Sequence, residues 1–348
     1  MTASSGPPSS APRIGKLRLA TFNLESLGGD DRHAPPLERR LAALRPLVLA
    51  LEADLLCLQE VNARSQGRGQ GRSQGRGQGA GRRGERRAEG LEALLAGTPY
   101  ATAARCVSLG RKGRGLADRH NLAILSRLPI ASWRSLYHAY VAPLDLPLAT
   151  RAGESVTLSF DRPLLHAVID LGGGRRLHVI DLHLRAPLAA AFPGGKSGGH
   201  WRSTAAWAEG LHHAGLLRSA QALEARLLVE ALFDAEPEAL IAVCGDFNAE
   251  GEAAALDILA APVAKTGVSA QAGRALVPLD PGLPAERRFS LRHGGRALMV
   301  DHILVSQALF AGYRRIDSLN AHLIDDCARE AGREPGSFHA PLVAEFAL

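Results

Sequence analysis

The chain has few cysteines, and none of them is clustered. Cys57, Cys106, Cys244 and Cys327 are the four cysteines among 348 residues, and they are far apart in sequence. Zinc knuckles and disulfide frameworks need closely or regularly spaced cysteines, so the sequence predicts neither. Reduced thiols in a cytoplasmic compartment are the expectation from this usage.

Long apolar runs are also missing. No stretch approaches the roughly 18 uninterrupted apolar residues of a membrane-spanning helix. The beginning, MTASSGPPSSAPRIGK, is rich in Ser and Pro and has no apolar signal-peptide core. We therefore expect a soluble, unexported, cytoplasmic protein without stable membrane insertion, in which residues 1–15 form a disordered N-terminal tail.

Aromatic residues make up 5% of the chain, which leaves few rings for stacking on nucleic-acid bases. The net charge of +6 looks basic, but it is concentrated in one place. The segment from Arg64 to Arg87 holds eight arginines and one acid, so it contributes +7 and the rest of the chain is close to −1. Outside this segment, a long polyanion would find little positive charge.

The arginine-rich segment contains an imperfect tandem repeat, SQGRGQGR followed by SQGRGQGA, with no apolar residue until its final alanine. Such a composition cannot bury enough surface to offset the entropy of ordering, so it predicts a disordered Arg/Gly/Gln-rich loop over residues 64–89. An RG-rich loop can bind RNA or single-stranded nucleic acid through charge and guanidinium stacking. A tolerated surface insertion without a specific role is the simpler interpretation.

The remaining sequence alternates between strand and helix patterns. Apolar residues at helical spacing predict a helix in LERRLAALRPLVLALEAD, with a break at Pro46, and an amphipathic helix in SAQALEARLLVEALF. Strand patterns occur in KLRLATFNL, DLLCLQEV, HNLAILSRLPI, LLHAVIDL, RRLHVIDLHL, ALIAVCGDFN, ALMVDHILVS and PLVAEFAL. Because some of these strands are linked by hairpins and others by helices, we expect mixed sheets.

Polar residues recur where the apolar runs end. They are Asn23, Glu60, His183, Asp246, Asn248 and Asp301. Each one alone fits ordinary turn chemistry. Ligand sites of layered α/β proteins gather at strand ends, however, so the whole set predicts a functional site.

These residue types suit phosphoester hydrolysis, in which a divalent cation offsets phosphate charge while a base aligns water. Glu60 offers a hard oxygen ligand for Mg²⁺ or Mn²⁺. Residues two apart in an extended segment share a face, which would place Asn23 beside Glu25 and Asp246 beside Asn248. A second pairing, Asp301 with His339, would hold an imidazole charged and oriented toward the phosphate.

Seven segments in this order resemble the motif series of the endonuclease/exonuclease/phosphatase superfamily. They are TFNLESL, DLLCLQEV, NLAILSRLPI, VIDLHL, AVCGDFNAE, VDHILVS and HAPLVAEF, and the resemblance covers residues 16 to 347. It implies one domain over residues 16–348 with an α/β (α+β) fold. This would be a four-layered α/β sandwich, in which two mixed β-sheets pack face to face with helices outside. It also implies a Mg²⁺- or Mn²⁺-dependent phosphoester hydrolase: a phosphodiesterase, nuclease or phosphatase that uses in-line attack of an activated water.

The resemblance also implies roles for single residues. Glu60 would be the principal metal ligand, Glu25 a second carboxylate near the metal, and Asn23 a contact to the phosphate or its water network. The catalytic set would be His183 as transition-state donor or leaving-group acid, Asp246 as the base, Asn248 beside it on the phosphate, and Asp301 paired with His339. Asn121 receives no firm role, and Arg218 and Gln221 are interpreted as structural.

One motif departs from the family pattern. Relatives usually have Ser-Asp-His where this chain has Ser337, Phe338 and His339. The missing carboxylate would either lower metal affinity or enforce a single-metal arrangement with Glu25 compensating. Asp325 and Asp326 are too far along the chain from His339 to be expected as substitutes.

The substrate stays open at this stage. A nuclease fits if the arginine-rich loop supplies the positive charge, and a small phosphoester, a lipid headgroup or a nucleotide fits equally well. A different class also remains, namely a catalytically reduced scaffold or RNA-binding protein that uses the RG-rich loop. We expect a monomer in either case.

Overall fold

The computed structural model describes most of the chain. The described ranges are residues 15–28, 35–65, 86–328 and 334–348. The predicted N-terminal tail, residues 1–15, lies outside them except for its last residue.

The ends of the predicted loop at residues 64–89 need correction. Arg64–Ser65 pairs with Arg86–Arg87 as a short antiparallel ladder, and a helix begins at Glu89. Backbone pairing at both ends closes the segment, so its ordered ends are not the disordered chain that composition alone predicts. Residues 66–85 lie outside the described ranges, and their predicted disorder stays a prediction.

Strands dominate the described residues. In chain order they are β1 (Leu17–Leu27), β2 (Leu55–Val61), β3 (Arg64–Ser65), β4 (Arg86–Arg87), β5 (Ala104–Val107), β6 (Asn121–Ser126), β7 (Ile130–Leu136), β8 (Leu144–Pro147), β9 (Ser155–Leu158), β10 (Leu164–Asp170), β11 (Arg176–His183), β12 (Lys196–Ser197), β13 (His200–Trp201), β14 (Leu240–Asp246), β15 (Val277–Pro278), β16 (Leu291–His293), β17 (Arg296–Leu298), β18 (Asp301–Val305), β19 (Tyr313–Ser318) and β20 (Leu342–Phe346).

Helices of two kinds accompany them. The α-helices are α1 (Leu37–Ala50), α2 (Glu89–Leu95), α3 (Thr204–Ala235), α4 (Ala254–Ala260), α5 (Val263–Thr266) and α6 (Gln307–Phe310). Short 3₁₀ turns cover Ser269–Arg274, Asp280–Gly282, Ala285–Arg287 and Asp326–Ala328. No helix in the described ranges is both long and apolar enough to cross a bilayer.

The main strands form two six-stranded mixed sheets. The first has the order β19-β20-β1-β2-β6-β5 and the second the order β15-β18-β14-β11-β10-β7. Each sheet has one parallel pair at its centre, β1 with β2 and β11 with β14, and antiparallel pairs elsewhere. The hairpin predicted from LLHAVIDL and RRLHVIDLHL is the antiparallel pair β10 and β11.

The largest buried core lies between the two sheets. Leu55 and Ile124 from the first sheet and Val179 and Ile303 from the second belong to it, and all four are fully buried. Packing of apolar faces in this way is what holds two sheets face to face. Three cysteines, at positions 57, 106 and 244, are buried and unbridged, so they act as small apolar core residues.

Two further cores lie on the outer faces of the sheets. Phe22 and Leu58 of the first sheet join Leu44 and Val48 of α1 in one cluster that also includes α2. On the other side, α3 and α4 pack on the outer face of the second sheet. The layers are therefore helix, sheet, sheet, helix, and the predicted four-layered α/β sandwich is confirmed.

The predicted break at Pro46 is wrong, because α1 continues through this residue to Ala50. A proline inside a helix removes one backbone hydrogen bond. Leu44 and Val48 on either side of it are fully buried against the first sheet, and this packing outweighs the lost bond. The helix predicted in SAQALEARLLVEALF is also longer than expected, since α3 begins at Thr204, where the Ser203 side chain caps it.

Strand register brings the candidate residues into one row. His183 at the end of β11 lies beside Asp246 at the end of β14, and Asp246 lies beside Asp301 at the start of β18. Residues paired across neighbouring strands point to the same face. The second sheet therefore presents three of the predicted catalytic side chains next to one another.

Gly245 makes this row possible. Its φ is +137°, and a Cβ atom here would lie 1.9 Å from the carbonyl oxygen of Leu182 on β11. We expect Gly245→Ala to destabilise the protein by at least about 3 kcal/mol, because the added methyl group must push β11 and β14 apart and also strains the backbone. Chemical denaturation measures this change.

The matched control is Gly215→Ala in α3, where a Cβ atom meets nothing within 4 Å. Alanine is the better helix former, so this variant should gain roughly 0.5–1 kcal/mol. Equal denaturation midpoints for the two variants would contradict the role given to Gly245.

Candidate active site

Asp246 lies at the centre of the predicted site. Its Oδ2 atom accepts hydrogen bonds from the side-chain amides of Asn23 at 3.0 Å and Asn248 at 3.1 Å. The Nε2 atom of His183 is 3.2 Å from the same oxygen, and that of His339 is 3.9 Å away. Burial opposes ionisation of Asp246, but the two imidazoles outweigh it and hold the pKa of this carboxyl well below its ordinary value. The site is thus organised around one buried carboxylate.

His339 is held by Asp301. Its Nδ1 atom lies 2.8 Å from Oδ2 of Asp301. Burial lowers the pKa of His339, but the carboxylates of Asp301 and Asp246 raise it to about 10. The Ser290 hydroxyl accepts a hydrogen bond from the backbone N–H of Asp301, which fixes the start of β18. In the metal-free protein, His339 is a charged donor at neutral pH.

Glu60 forms the side of the site that belongs to the first sheet. Its carboxylate accepts a hydrogen bond from the Ser26 hydroxyl at 3.0 Å and a longer one from the Asn23 amide at 3.4 Å. The Nε2 atom of His183 lies 3.8 Å from Oε1. Burial raises the pKa of Glu60, but the nearby imidazoles of His183 and His120 lower it overall. Glu60 is therefore a second ionised carboxylate, on the opposite sheet from Asp246.

Strand irregularities aim these side chains. The β1–β2 register shifts between Asn23 and Leu27, and the β2–β6 register shifts between Leu58 and Val61. A bulge redirects the side chains that follow it. The residues in left-handed backbone conformations near the site are Glu25, Ser26, Glu60, His120 and Asn248, with φ between 49° and 59°. Such conformations are strained for residues with a side chain, and they tend to occur at functional sites.

The bulge in β1 affects the predicted pairing of Asn23 with Glu25. The bulge breaks the alternation of side chains between the two faces of β1. The Asn23 side-chain oxygen accepts a hydrogen bond from the backbone N–H of Glu25. The Glu25 carboxylate accepts a hydrogen bond at 2.8 Å from the backbone N–H of Phe338. Glu25 belongs to none of the described groups whose ligand atoms lie within 4.8 Å of one another, so its metal role stays a prediction without geometric support.

Phe338 is buried, with 5% of its surface exposed, where the family pattern has an aspartate. The flanking residues nevertheless hold the segment in place. The Ser337 hydroxyl donates to the Asn23 carbonyl oxygen at 2.7 Å and accepts from the backbone N–H of His339. The last motif thus keeps its serine and histidine contacts while its central side chain is apolar.

Sequence reasoning missed His120. This residue lies next to His183, with the two rings edge to face and their centroids 5.8 Å apart. Burial, aided by the charge of Arg162, lowers the pKa of His120 to about 4, so its imidazole is neutral at pH 7. The reason is a strand pairing that the sequence does not give: β6 runs antiparallel to β2, so the residue before β6 lies at the edge where β2 ends, beside Glu60.

The residues without a predicted catalytic role have structural contacts. The Asn121 amide donates to the Val61 carbonyl oxygen at 2.8 Å, which ties the start of β6 to the end of β2. On α3, Gln221 accepts a hydrogen bond from the backbone N–H of Arg185, and Arg218 donates to the Arg185 carbonyl oxygen. These contacts hold the segment that follows β11 against α3.

The residues present fit a divalent cation beside Glu60. Two groups at the site have ligand atoms within 4.8 Å of one another: Glu60, His120 and His183, and Asp246, Asp301 and His339. In the second group the charged His339 already offsets the carboxylates. In the first group, the Nδ1 atoms of both histidines are buried without a hydrogen-bond partner in the described part of the chain. A carboxylate beside imidazole nitrogens is a donor set typical of metal sites.

Comparisons with known proteins bear on the fold and the family. No curated protein sequence matches the chain. Among solved structures, truncated Caenorhabditis elegans TDP2 has a TM-score of 0.53 and 14% identity, covering 96% of this chain and 98% of that one. A 3'-5' exonuclease (NExo) from Neisseria meningitidis has a TM-score of 0.50 and 17% identity, covering 95% of this chain and 100% of that one. At these identities the likeness establishes the fold.

The sequence profile described as the Endonuclease/Exonuclease/phosphatase family matches residues 20–320, which is most of the chain. This span includes every site residue discussed above except the last motif. The protein therefore belongs to the endonuclease/exonuclease/phosphatase family.

Proposed function

We propose that the protein is a Mg²⁺- or Mn²⁺-dependent phosphoester hydrolase that acts by in-line attack of water. The observation that carries this proposal is the contact set of Asp246, which lies among His183, His339 and two side-chain amides, across from Glu60. A divalent cation held by Glu60 would neutralise charge on a phosphoryl oxygen. The remaining chemistry belongs to the side chains.

Asp246 orients the attacking water. Its pKa lies far below neutrality, so it is always ionised and is a poor resting proton acceptor. A fixed carboxylate of this kind holds a water by hydrogen bonding and takes its proton as the bond to phosphorus forms. Asn23 and Asn248 each donate to Oδ2, and they fix the direction in which the carboxylate points.

His339 and His183 act on the phosphate. His339 is charged, is held by Asp301, and has Nε2 on the side of Asp246. It is therefore placed to donate to a phosphoryl oxygen as negative charge builds up. His183, whose Nε2 lies between Asp246 and Glu60, is placed to donate to the phosphate or to the leaving oxygen. Asn248 offers a further amide N–H to the phosphate in this proposal.

A single cation fits the described residues better than two. Phe338 removes the carboxylate expected in the last motif, and Glu25 is engaged with the Phe338 backbone. Glu60 then remains as the principal carboxylate ligand. We favour turnover over the non-catalytic scaffold, because Asp246 lies among two side-chain amides and the imidazole of His183.

Hydrolysis of bis(p-nitrophenyl) phosphate tests the proposal. The wild-type protein should turn over with Mg²⁺ or Mn²⁺ and fall to background in EDTA. Glu60→Gln should need at least about tenfold more cation for half-maximal rate, because a neutral amide is a weaker ligand than a carboxylate. Turnover that is indifferent to EDTA would refute the cation requirement.

The matched control is Glu236→Gln, which changes an exposed carboxylate at the end of α3. Its cation dependence should equal that of the wild type. The same assay on single-stranded DNA, RNA, inositol phosphates and sphingomyelin then defines the substrate class. Comparing the chain with a variant that lacks residues 66–85 tests the proposal that the loop recruits nucleic acid, in which case binding to RNA should weaken and become less sensitive to salt.

A further inference from the structure

His120 has a place in the site that the proposed roles do not use. One of its ring nitrogens lies within 4.8 Å of a ligand atom of Glu60 and of a ligand atom of His183. Its Nδ1 atom is buried and has no hydrogen-bond partner among the described residues. A buried polar atom without a partner costs free energy, so it needs a reason such as a bound ion.

Hydrogen bonds to neighbouring residues fix the backbone of His120. Its backbone N–H donates to the Asn62 side-chain oxygen at 3.0 Å, and the next residue, Asn121, is tied to the Val61 carbonyl oxygen. The backbone of His120 itself is left-handed, with φ of 57°. These two contacts hold the backbone of His120 beside the end of β2 that carries Glu60.

The distances suit a shared cation. Ligand atoms about 2.1 Å from one ion, at adjacent corners of an octahedron, lie about 3.0 Å apart. The Oε1 atom of Glu60 and the Nε2 atom of His183 are 3.8 Å apart. His183 acts on the phosphate in the proposed function, and the ligand atom of His120 lies within 4.8 Å of that of Glu60, so small side-chain rotations bring these two atoms to coordination distance. His183 is also 3.2 Å from Asp246, which leaves His120 as the ring without another contact to a carboxylate at hydrogen-bond distance.

We propose that His120 is a ligand of the same cation as Glu60, and that this nitrogen ligand makes the site prefer Mn²⁺ and the later first-row divalent ions over Mg²⁺. The inference rests on the proposed cation-dependent function. Mg²⁺ favours oxygen ligands and keeps most of its waters, whereas a nitrogen ligand raises the affinity for first-row transition ions, least for Mn²⁺ and more for Co²⁺ and Zn²⁺. With His120 as a ligand, the site selects first-row transition ions over Mg²⁺, a preference that the Glu60 carboxylate alone would not give.

Cation binding without substrate is the test. Isothermal titration with MnCl₂ and MgCl₂ compares the wild type with His120→Gly, since glycine accepts a positive φ and leaves no ligand. The wild type should bind Mn²⁺ at least about tenfold more tightly than Mg²⁺. In His120→Gly the Kd for Mn²⁺ should rise at least about tenfold, while the Kd for Mg²⁺ changes less than about twofold.

A spectroscopic readout accompanies the titration. Co²⁺ added to the wild type should give visible absorption bands whose intensity and position change in His120→Gly. The matched control is His212→Ala on the exposed face of α3, which should behave as the wild type in both measurements. His120→Asn, which also tolerates a left-handed backbone, replaces nitrogen by an amide oxygen and should narrow the preference for Mn²⁺ over Mg²⁺.

The outcomes separate this inference from the proposed function. If His120→Gly binds Mn²⁺ as the wild type does, His120 is not a ligand, and hydrolysis that still depends on Glu60 leaves the proposed function standing. A variant with unchanged cation binding and a raised KM would place His120 on the phosphate and also overturn the inference. A wild type that binds neither ion and hydrolyses nothing would refute both.

Discussion

Replacing Asp246 by asparagine should lower kcat by about 10³- to 10⁴-fold and leave the protein folded. The two side chains have the same shape, so packing of the buried residue is kept. Asparagine cannot take a proton from water, and its amide N–H groups would face the donors of Asn23 and Asn248 that now converge on Oδ2. Both the orientation of the water and the charge that holds His339 are lost together.

Steady-state kinetics on bis(p-nitrophenyl) phosphate at saturating Mn²⁺ measures this loss, with circular dichroism to confirm the fold. Asp170→Asn is the matched control, because Asp170 is exposed at the end of β10 and accepts from a turn N–H that asparagine can also satisfy. The control should retain full activity. An Asp246→Asn variant within tenfold of the wild type would remove Asp246 from the mechanism.

Replacing His339 by glutamine should destabilise the metal-free protein by about 3–5 kcal/mol near pH 6.5. The imidazolium offsets the buried carboxylates of Asp301 and Asp246, and its loss leaves them uncompensated. The folded-state pKa of His339 is raised from 6.5 to about 10. A raised histidine pKa stabilises the fold fully below the unfolded-state pKa, and this stabilisation is lost as pH rises toward the folded-state value.

The difference in stability between wild type and His339→Gln should therefore be largest at pH 6.5 or below and shrink steadily toward pH 10. Urea denaturation in EDTA at several pH values measures it, and EDTA keeps a bound cation from shifting the titration. His212→Gln, on the exposed face of α3, should show no such pH-dependent difference. A difference for His339→Gln that does not change with pH would contradict a charged, buried His339.

Much of the site could be predicted because its polar and ionisable side chains lie at strand ends, whereas the buried strand interiors are apolar. His183, Asp246 and Asp301 each follow or begin an apolar run, and strand register places them in one row. The order of the motifs resembles that of the family, and this resemblance implied the double-sheet sandwich, whereas the mixed hairpin and helix connections alone predicted mixed sheets. Glu60 could be named for the same reason as the row, because it ends β2.

What could not be predicted depends on three-dimensional pairing. His120 precedes β6, and its nearness to Glu60 becomes visible only once β2 and β6 are known to be antiparallel. The broken alternation in β1 comes from positive φ values at Glu25 and Ser26. Glutamate and serine rarely adopt positive φ, so their identity does not predict it. The continuation of α1 through Pro46 depends on packing against a sheet that is distant in sequence.

The left-handed residues around the site have a consequence for laboratory evolution. Glycine adopts such backbone angles without strain, so glycine at positions 26 and 120 would relieve the folded state. A screen for thermal stability alone would thus select glycine in place of Ser26 and His120, at the edge where β1, β2 and β6 meet. Variants selected in this way should unfold at a higher temperature and should also lose their preference among cations. The expected product of such a screen is a thermostable protein with low cation selectivity.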